Sequence, residues 1–393
     1  MKFVLFDFFI HFGGAPQLAA DTTKRLAVDH EVEVVNVYGV CHEYLEELKD
    51  AGIRTHVLVP EVKNVVIGYQ NNKIRRLGEM IRRIPLFLRL RKRMTQKILK
   101  INPDVIWTTS EHALLFLMLS PCLNRYPAVR YDCGYREAAA IGRWQRFVNK
   151  KRATIIMTSS TETAKQLQLA GIKAERIRVV FETIDFADIL EKSKAALEGP
   201  LPGLEGRPRI FVPATLLRTK GQHTAIKAIG HLKSQGMNPT LWLAGDVVGN
   251  DYSYLEYLKD LAGELGISEN VHFLGWRHDI PAVMVQSDIV VLPTHTEGFG
   301  RVALEAMLLG KPAVTTPAGG MKDSIQDGHD GLFFPVDDDE VLARQLARLV
   351  SDSQFAAKLI ENGYKTVTEK FNPENHTERV LAALVSAAEF RSG

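Results

Sequence analysis

The sequence predicts an α/β protein built from two doubly wound domains, and three observations carry this prediction. Short apolar runs rich in Val and Ile alternate with helical patterns along most of the 393 residues. Continuous apolar runs are typical of parallel strands that helices cover on both faces. The alternation occurs twice, on either side of a segment rich in Pro and Gly, and strand–helix alternation builds doubly wound sheets.

The predicted strands are apolar runs bounded by turn residues. Those of the first half are Phe3–Phe6, Glu31–Val37, Thr55–Val59, Val105–Trp107, Ala128–Tyr131, Ile155–Met157 and Ile177–Phe181. Those of the second half are Ile210–Pro213, Thr240–Ala244, Val271–Leu274, Ile289–Leu292, Ala313–Thr315 and Leu332–Phe334. Helical patterns lie between them, for example over Gln222–Ser234 and Val341–Ser351.

A change in composition marks the predicted domain boundary. Residues 197–208 contain three prolines and three glycines, which is typical of a linker. The sequence therefore predicts a first domain over 1–196, a linker over 197–208 and a second domain over 209–372. A final helical segment follows over 373–393.

The amino-acid composition is that of an ordinary globular protein. Apolar residues make up 46% and charged residues 24% of the sequence, and the net charge of +3 is too small to indicate nucleic acid. Three cysteines without a CxxC pair argue against a disulfide framework or a zinc site. The apolar start of the chain reaches Asp7 within a few residues, which favours a buried strand over a signal peptide. We therefore expect a cytoplasmic protein.

Two glutamates, Glu297 and Glu305, frame a Gly-rich turn and the helix that follows it. Gly298 and Gly300 allow backbone N–H groups to approach a ligand closely, and a helix start attracts a phosphate. Carboxylates on each side of such a pocket can accept hydrogen bonds from hydroxyl pairs. Donors for a phosphate together with acceptors for hydroxyls are what a nucleotide-sugar requires. The bland alternative is a helix start with two surface acids.

A longer set of motifs surrounds the two glutamates in a fixed order. They are Phe273-Leu274-Gly275-Trp276, Ser287-Asp288-Ile289, Gly298-Phe299-Gly300, Gly310-Lys311-Pro312 and Gly319-Gly320. In this order the sequence resembles the retaining glycosyltransferases of the GT-B fold, family 4, over roughly residues 208–375. The resemblance implies two Rossmann-like domains that face a central cleft, with the nucleotide-sugar donor bound by the second domain and the acceptor mainly by the first. It also implies that the final helix, within 373–393, crosses back onto the first domain.

The resemblance also implies roles for individual residues. Glu305 would accept hydrogen bonds from the ribose hydroxyls of the donor. Glu297 and the N–H groups of Gly298, Phe299, Gly300 and Arg301 would hold the donor sugar.

Lys220, at the start of a predicted helix, would stabilise the negative charge that grows on the departing nucleoside diphosphate. The alternative is a solvated lysine at a helix start. The family usually has an Arg five residues before this Lys, whereas this chain has Thr215. We expect Arg218 to supply the missing charge from another direction.

Two further positions belong to the first domain. Gly13-Gly14 follows the first strand, where the family has a Gly-Gly loop near the donor phosphates, although a plain strand–helix turn is the alternative. Asp132 ends a predicted strand where many relatives carry a His near the reacting carbon. It would orient the donor or the acceptor hydroxyl, or it is a simple turn aspartate.

Residues Lys73–Lys100 contain eleven Lys or Arg and a single acid, Glu79, with interleaved apolar residues. This pattern predicts either a basic amphipathic surface on anionic lipid or a core helix with a solvated basic face. A nucleic-acid surface is disfavoured because no binding motif accompanies the charge. The acidic run Asp337-Asp338-Asp339 precedes a helical pattern, where acids favour the helix dipole, so no metal site is predicted there.

The sequence thus predicts a retaining hexosyltransferase that uses a nucleotide-sugar, with UDP or GDP as its nucleotide, in cell-surface glycan, glycolipid or polysaccharide synthesis. No cofactor or metal is expected, because the nucleotide-sugar is a substrate. A peripheral position on the inner face of the plasma membrane is a further expectation. Two alternatives stay open: a nucleotide-sugar 2-epimerase of the same fold, and a non-enzymatic membrane-associated protein that kept the fold.

Overall fold

The structure is a computed structural model that describes residues 1–10, 13–62, 82–247, 249 and 251–390. It divides into two compact units. The first unit comprises Met1–Val180 together with the chain from His376 onward, and the second comprises Phe181–Asn375.

A parallel sheet forms the centre of the first unit. Among the described residues its strands are β1 (Lys2–Asp7), β2 (Glu31–Asn36), β3 (Arg54–Val57), β4 (Val105–Thr108), β5 (Ala128–Asp132), β6 (Ile155–Thr158) and β7 (Ile177–Val179). They lie in the order β3-β2-β1-β4-β5-β6-β7. The strand order reverses between β1 and β4, as in doubly wound folds.

Helices cover this sheet on both faces. They are α1 (Gly14–Asp29), α2 (His42–Asp50), α3 (Ile84–Ile101), α4 (Glu111–Met118), α5 (Arg143–Arg152) and α6 (Thr161–Leu169). Alternate residues of β1 belong to different core clusters: Val4 and Phe6 pack on one face, and Phe3 and Leu5 on the other. This alternation explains why the strand is a continuous apolar run, since both of its faces are buried.

The second unit repeats the architecture. Its strands are β8 (Arg209–Pro213), β9 (Thr240–Ala244), β10 (Val271–Gly275), β11 (Ile289–Leu292), β12 (Ala313–Thr315) and β13 (Leu332–Phe333), in the order β10-β9-β8-β11-β12-β13. Its helices are α7 (Phe186–Lys192), α8 (Gln222–Ser234), α9 (Ser253–Glu264), α10 (Ile280–Gln286), α11 (Arg301–Leu308), α12 (Met321–Ser324), α13 (Asp339–Ser351) and α14 (Ser353–Lys370). The predicted α/β class and its two parallel sheets are confirmed.

The final helix, α15 (Pro373–Glu389), packs on the first unit although it follows the second in sequence. Its buried residues Val380 and Leu384 join the core that contains β1 residues Phe3 and Leu5. At its beginning, His376 Nε2 lies 3.1 Å from Thr22 Oγ1 of α1. The first unit is therefore completed by a segment from the far end of the chain.

The structure places the division between the units earlier than the composition predicts. Phe181 already belongs to the second unit, where its ring stacks on Phe299 and packs edge-on against Phe371. The predicted linker, 197–208, also lies within the second unit. It is fixed there because Trp242 Nε1 donates a hydrogen bond of 2.8 Å to the Pro202 carbonyl. Pro and Gly thus mark a surface loop of this unit.

A buried polar group ends the first strand. Asp7 is fully buried, and its carboxylate accepts hydrogen bonds from Tyr44 Oη at 2.9 Å and Asn36 Nδ2 at 2.5 Å. Burial raises the pKa of Asp7 to about 7, against the opposing effect of these hydrogen bonds. The group ties the exits of β1 and β2 to α2.

Candidate active site

The predicted donor residues of the second unit lie at the point where the strand order of its sheet reverses. Strands β8 and β11 are hydrogen-bonded neighbours, and each is followed by a turn that leads into a helix. The turn after β8 carries Lys220 and the turn after β11 carries Glu297. Open α/β sheets bind ligands outside the carboxyl ends of the strands at such a switch point.

The structure brings Lys220 and Glu297 together. Lys220 Nζ donates a hydrogen bond of 2.7 Å to Glu297 Oε2, and both side chains are half-buried. Two groups far apart in sequence thus form one ion pair beyond the carboxyl ends of β8 and β11. In this position the Lys can attract a phosphate, and the Glu can accept hydrogen bonds from hydroxyl groups.

Gly221 makes this pairing possible. Its backbone has a left-handed φ of +69°, and a Cβ atom there would lie 1.8 Å from the carbonyl oxygen of Pro293. The absence of a side chain therefore lets the short 3-10 turn Arg218–Lys220 pack directly on the exit of β11. The contact is reinforced because His295 N donates a hydrogen bond of 2.8 Å to the Thr219 carbonyl.

Glu305 is the most electrostatically unusual group of this region. It lies on α11, is half-buried, and has no hydrogen-bond or ion-pair partner among the residues that the structure describes. Burial raises the pKa of Glu305 to about 7, although the nearby charge of Arg301 acts in the opposite direction. A partly buried carboxylate without a partner is unfavourable, so this side chain is suited to a ligand that donates hydrogen bonds.

The turn between Glu297 and α11 is anchored by a side chain that packs in the core of the second unit. Phe299 is buried in the core, where it packs on Phe181 and Phe371. Its side chain therefore anchors the turn, and only its backbone remains for the donor contact predicted from the sequence. Gly300 has a left-handed φ of +90° and caps α11, and the Gly320 N–H donates a hydrogen bond of 3.0 Å to the Glu297 carbonyl.

Arg218 does not join the Lys220–Glu297 pair. Its guanidinium lies over the ring of Tyr257 at 4.6 Å and near that of Tyr254 at 5.7 Å. The Arg218 side chain is exposed. At Thr215, where the family usually has an Arg, the backbone carbonyl accepts a hydrogen bond of 2.9 Å from Gln222 Nε2. The expected replacement of the missing Arg by Arg218 stays a prediction, and the structure gives this guanidinium an aromatic platform.

A cluster that the sequence reasoning missed lies beside these turns. Asp337 Oδ1 is 3.1 Å from His223 Nε2 and 2.8 Å from His295 Nε2. Burial lowers the pKa of His223, against the attraction of Asp337. The corresponding sequence signal is the run Asp337-Asp338-Asp339, which the sequence predicts to favour the helix dipole. That assignment suits Asp338, whose carboxylate caps α13 by accepting a hydrogen bond of 2.9 Å from Val341 N.

The predicted residues of the first unit have different surroundings. Asp132 ends β5, and its Oδ2 lies 2.9 Å from Nη2 of the buried Arg130. Arg130 also binds Glu111 at 3.0 Å. Burial alone would raise the pKa of Glu111, but Arg130 and Arg136 outweigh it and hold that pKa below its usual value. Asp132 therefore has a structural partner, and its catalytic role stays a prediction.

Gly13 and Gly14 form the start of α1, with Gly13 as the N-cap residue. A Cβ atom at either position would meet no described atom within 4 Å. No packing contact with a described atom therefore requires glycine at either position, and the predicted donor contact of this loop stays a prediction.

Two family models match the chain. "Glycosyl transferases group 1" matches residues 199–366, and "Glycosyltransferase Family 4" matches residues 12–188. Together the two matches cover most of the chain and support its assignment to the group 1 glycosyltransferases. The first match contains Lys220, Glu297 and Glu305, and the second contains Gly13, Gly14 and Asp132.

Curated relatives of this family support the assignment. The chain is 29% identical over 231 residues to the lipopolysaccharide core biosynthesis glycosyltransferase LpsE of Rhizobium meliloti, over 59% of this chain and 64% of that one. It is 34% identical to a D-inositol 3-phosphate glycosyltransferase of Salinispora arenicola, over 57% of this chain and 52% of that one. It is 26% identical to the alpha-D-kanosaminyltransferase of Streptomyces kanamyceticus, over 64% of each. The matches therefore span less than two thirds of these relatives.

Solved structures show the same fold. Anabaena HepE, crystallised with UDP, aligns with a TM-score of 0.79 at 23% identity and covers 98% of this chain and 100% of its own. WaaG, a glycosyltransferase involved in lipopolysaccharide biosynthesis, aligns with a TM-score of 0.64 at 18% identity and covers 98% of both chains. The predicted GT-B fold is confirmed.

Replacing Gly221 by Ala should destabilise the chain by more than a left-handed φ alone explains. The new Cβ would lie 1.8 Å from a backbone oxygen, so we expect the free energy of unfolding in urea to fall by about 3 kcal/mol or more. Gly236→Ala is the matched control, because Gly236 has a φ of +84° in open space. It should cost about 1 kcal/mol. Equal losses in the two variants would contradict the close contact with Pro293.

Proposed function

We propose that this chain is a retaining glycosyltransferase that moves a sugar from a nucleotide-sugar to an acceptor hydroxyl. One observation carries the proposal. Lys220 and Glu297 form an ion pair of 2.7 Å at the switch point of the second sheet, and the unpartnered Glu305 lies on the helix that follows. This set of groups offers a cation for a diphosphate and carboxylates for hydroxyl pairs.

Lys220 is the group that stabilises the leaving nucleoside diphosphate. In the ligand-free chain Glu297 holds its ammonium group in place at 2.7 Å. A diphosphate competes for the same ammonium group, and this releases Glu297 to accept hydrogen bonds from the sugar. Charge-assisted hydrogen bonds of this kind contribute about 1.5–3 kcal/mol each. Because a lysine supplies the positive charge, we propose that the leaving group needs no bound metal.

Glu305 is the group that recognises the ribose. Its half-buried carboxylate lacks a partner in the described part of the chain, and two ribose hydroxyls would supply the missing donors. Glu297, Glu305 and Lys220 therefore act on different parts of one donor. The N–H groups of the turn Gly298–Arg301 hold the sugar, with the Phe299 ring as their anchor.

The relatives narrow the substrates to be tested first. HepE has been crystallised with UDP and with UDP-glucose, which makes UDP-hexoses the first donors to examine. The names of LpsE and of the inositol phosphate enzymes point to hydroxyls of glycans and polyols as acceptors. We propose a role in the synthesis of a cell-surface glycan, a glycolipid or a polysaccharide.

The proposed function is tested by a donor screen followed by stereochemical analysis. A specific donor at 100 times its Kd should stabilise the folded chain by about 2.7 kcal/mol, which a thermal-shift screen of UDP-, GDP- and ADP-sugars detects. With an accepted donor and acceptor, NMR of the product should show the anomeric configuration of the donor. An inverted anomeric centre would exclude the retaining mechanism, and conversion of the donor without an acceptor would favour an epimerase.

Donor binding should weaken as the pH falls through 7. Ribose hydroxyls donate to the carboxylate form of Glu305, so binding favours ionisation of a group whose pKa in the free chain is about 7. The Kd measured by calorimetry should therefore be roughly tenfold higher at pH 6 than at pH 8.

Variants of Glu305 isolate this effect. Glu305→Gln should abolish the pH dependence, and Glu305→Ala should weaken binding roughly 10- to 100-fold. The control Glu361→Ala removes an exposed acid of α14 and should keep both the affinity and the pH profile. Unchanged donor binding in Glu305→Ala would favour a non-enzymatic protein that kept the fold.

We also propose a peripheral contact with anionic lipid at the cytoplasmic face of a membrane. The predicted basic segment is Lys73–Lys100, of which residues 73–81 lie outside the described residues. In the described part, α3 buries Leu90, Met94 and Ile98 in the core and exposes Ile84 and Leu88 by 50% each. Among the helices that the structure describes, none has the length and hydropathy to cross a bilayer.

Vesicle flotation tests the lipid contact. The chain should float with vesicles that contain phosphatidylglycerol and should not float with neutral phosphatidylcholine vesicles. Salt at about 0.5 M should release it from the vesicles, because salt screens exposed charges. Leu88→Gln should weaken the binding, and Leu169→Gln, which alters an exposed leucine of α6, should not. Equal binding to both kinds of vesicle would contradict the electrostatic contact.

A further inference from the structure

Three side chains from separate segments of the second unit converge on one point. His223 lies in the first turn of α8, His295 lies in the turn after β11, and Asp337 lies in the turn before α13. One ligand atom of each, an imidazole nitrogen or a carboxylate oxygen, lies within 4.8 Å of the others. The two His Nε2 atoms lie 3.1 and 2.8 Å from Asp337 Oδ1. Donor atoms around one tetrahedral zinc ion are separated by roughly 3.3 Å, given metal–ligand bonds of about 2 Å.

The cluster has an outer shell that orients it. His223 Nδ1 lies 2.9 Å from Tyr254 Oη, so the position of the ring is fixed and its Nε2 points toward Asp337. Thr224 Oγ1 donates a hydrogen bond of 3.2 Å to Asp337 Oδ1. Histidine ligands of metals commonly bind a polar partner through their other nitrogen, which fixes the tautomer and the ring plane.

Asp337 is distinct from the two acids that follow it. Its backbone has a left-handed φ of +61°, an uncommon conformation for a residue with a side chain. Asp338 is used as the helix cap, and Asp339 Oδ2 lies 2.7 Å from His231 Nε2. Only the first acid of the run therefore faces the two imidazoles at His223 and His295.

We propose that His223, His295 and Asp337 form a binding site for a divalent transition metal ion, best suited to Zn²⁺. Two imidazole nitrogens and one carboxylate oxygen are ligands that zinc accepts, whereas Mg²⁺ and Ca²⁺ prefer sites made of oxygen alone. The Asp337 side chain is 51% exposed, which leaves room for water as a fourth ligand.

The ion would connect the two turns that carry Lys220 and Glu297 with the turn before α13. His223 follows Lys220 and Gly221 in the chain, and His295 precedes Glu297. His295 is also bonded through its N–H to the Thr219 carbonyl. The metal therefore holds the backbones of Lys220 and Glu297 in place. It takes no part in the departure of the diphosphate, which Lys220 serves.

A metal and a simple hydrogen-bond network require opposite tautomers of His223. Without a metal, Nε2–H donates to Asp337 and Nδ1 accepts from Tyr254 Oη. With a metal on Nε2, Nδ1–H donates to Tyr254 Oη. The direction of the His223–Tyr254 hydrogen bond is thus a local marker of the bound ion, which nitrogen-15 NMR of the imidazole can detect.

Metal titration of the full chain tests the site. Protein freed of metal by a chelator is titrated with Zn²⁺ in competition with a chromogenic chelator, and with Co²⁺ to record its visible absorption. We expect one ion per chain, a Co²⁺ spectrum of the intensity that four- or five-coordination gives, and a higher Tm with Zn²⁺. Absence of one-to-one binding in the unaltered chain would overturn the proposal.

Variants locate the bound ion. Because outer-shell changes already weaken metal binding by roughly 10- to 100-fold, His223→Ala, His295→Ala and Asp337→Asn should each weaken it by at least about 100-fold. Tyr254→Phe should weaken it by about 10-fold or more while it keeps the ring beside Arg218. His329→Ala removes an exposed histidine outside the cluster and should bind as the unaltered chain does.

The variants also separate loss of the site from loss of the fold. Asp337→Asn keeps the size of the side chain, and the circular dichroism of each variant reports whether it is folded. If His223→Ala fails to fold, His295→Ala and Asp337→Asn decide the matter, since both residues are partly exposed. Full-strength binding in either folded variant would place the ion elsewhere and overturn the assignment.

Discussion

The burial of both faces of each parallel sheet is the constraint on which the rest of this structure depends. Successive residues of β1, such as Val4 and Leu5, enter separate cores on opposite faces of the sheet. Most positions along such strands are therefore apolar, and the charged side chains of the candidate site lie in the turns that follow the carboxyl ends. Lys220, Glu297 and His295 all lie in turns of this kind. The architecture thereby concentrates charged side chains at the carboxyl ends of the strands.

The same constraint explains how much of the fold could be predicted from sequence. A strand buried on both faces is a continuous apolar run, and such runs predicted every described strand to within about two residues. The ends of the strands are predicted less accurately. Thr108 and Asp132 belong to their strands through backbone hydrogen bonds, but their polar side chains fall outside the apolar pattern. The division between the units was missed for a related reason. Phe181 is assigned to the second unit by its stacking on Phe299, a tertiary contact that composition does not encode.

The candidate site was predictable as a set of residues but not as a set of contacts. The motif order identified Lys220, Glu297 and Glu305, yet nothing in the sequence indicates that the first two are bonded at 2.7 Å. The same holds for Asp132, because the sequence does not indicate its contact with the buried Arg130 of the same strand. The cluster of His223, His295 and Asp337 joins residues that are distant in sequence. Only the packing of three turns brings them together.

The path of the chain has a consequence for how the first unit can be handled. The chain leaves this unit after Val180 and returns to it at His376, so the second unit is an insertion within the first. A fragment that stops at Val180 would lack Val380, Leu384 and the other residues by which α15 completes the core around Phe3. That fragment would expose the apolar surface that α15 covers. A covalently continuous form of the first unit would need a short linker in place of the second, or a permuted order in which α15 precedes β1.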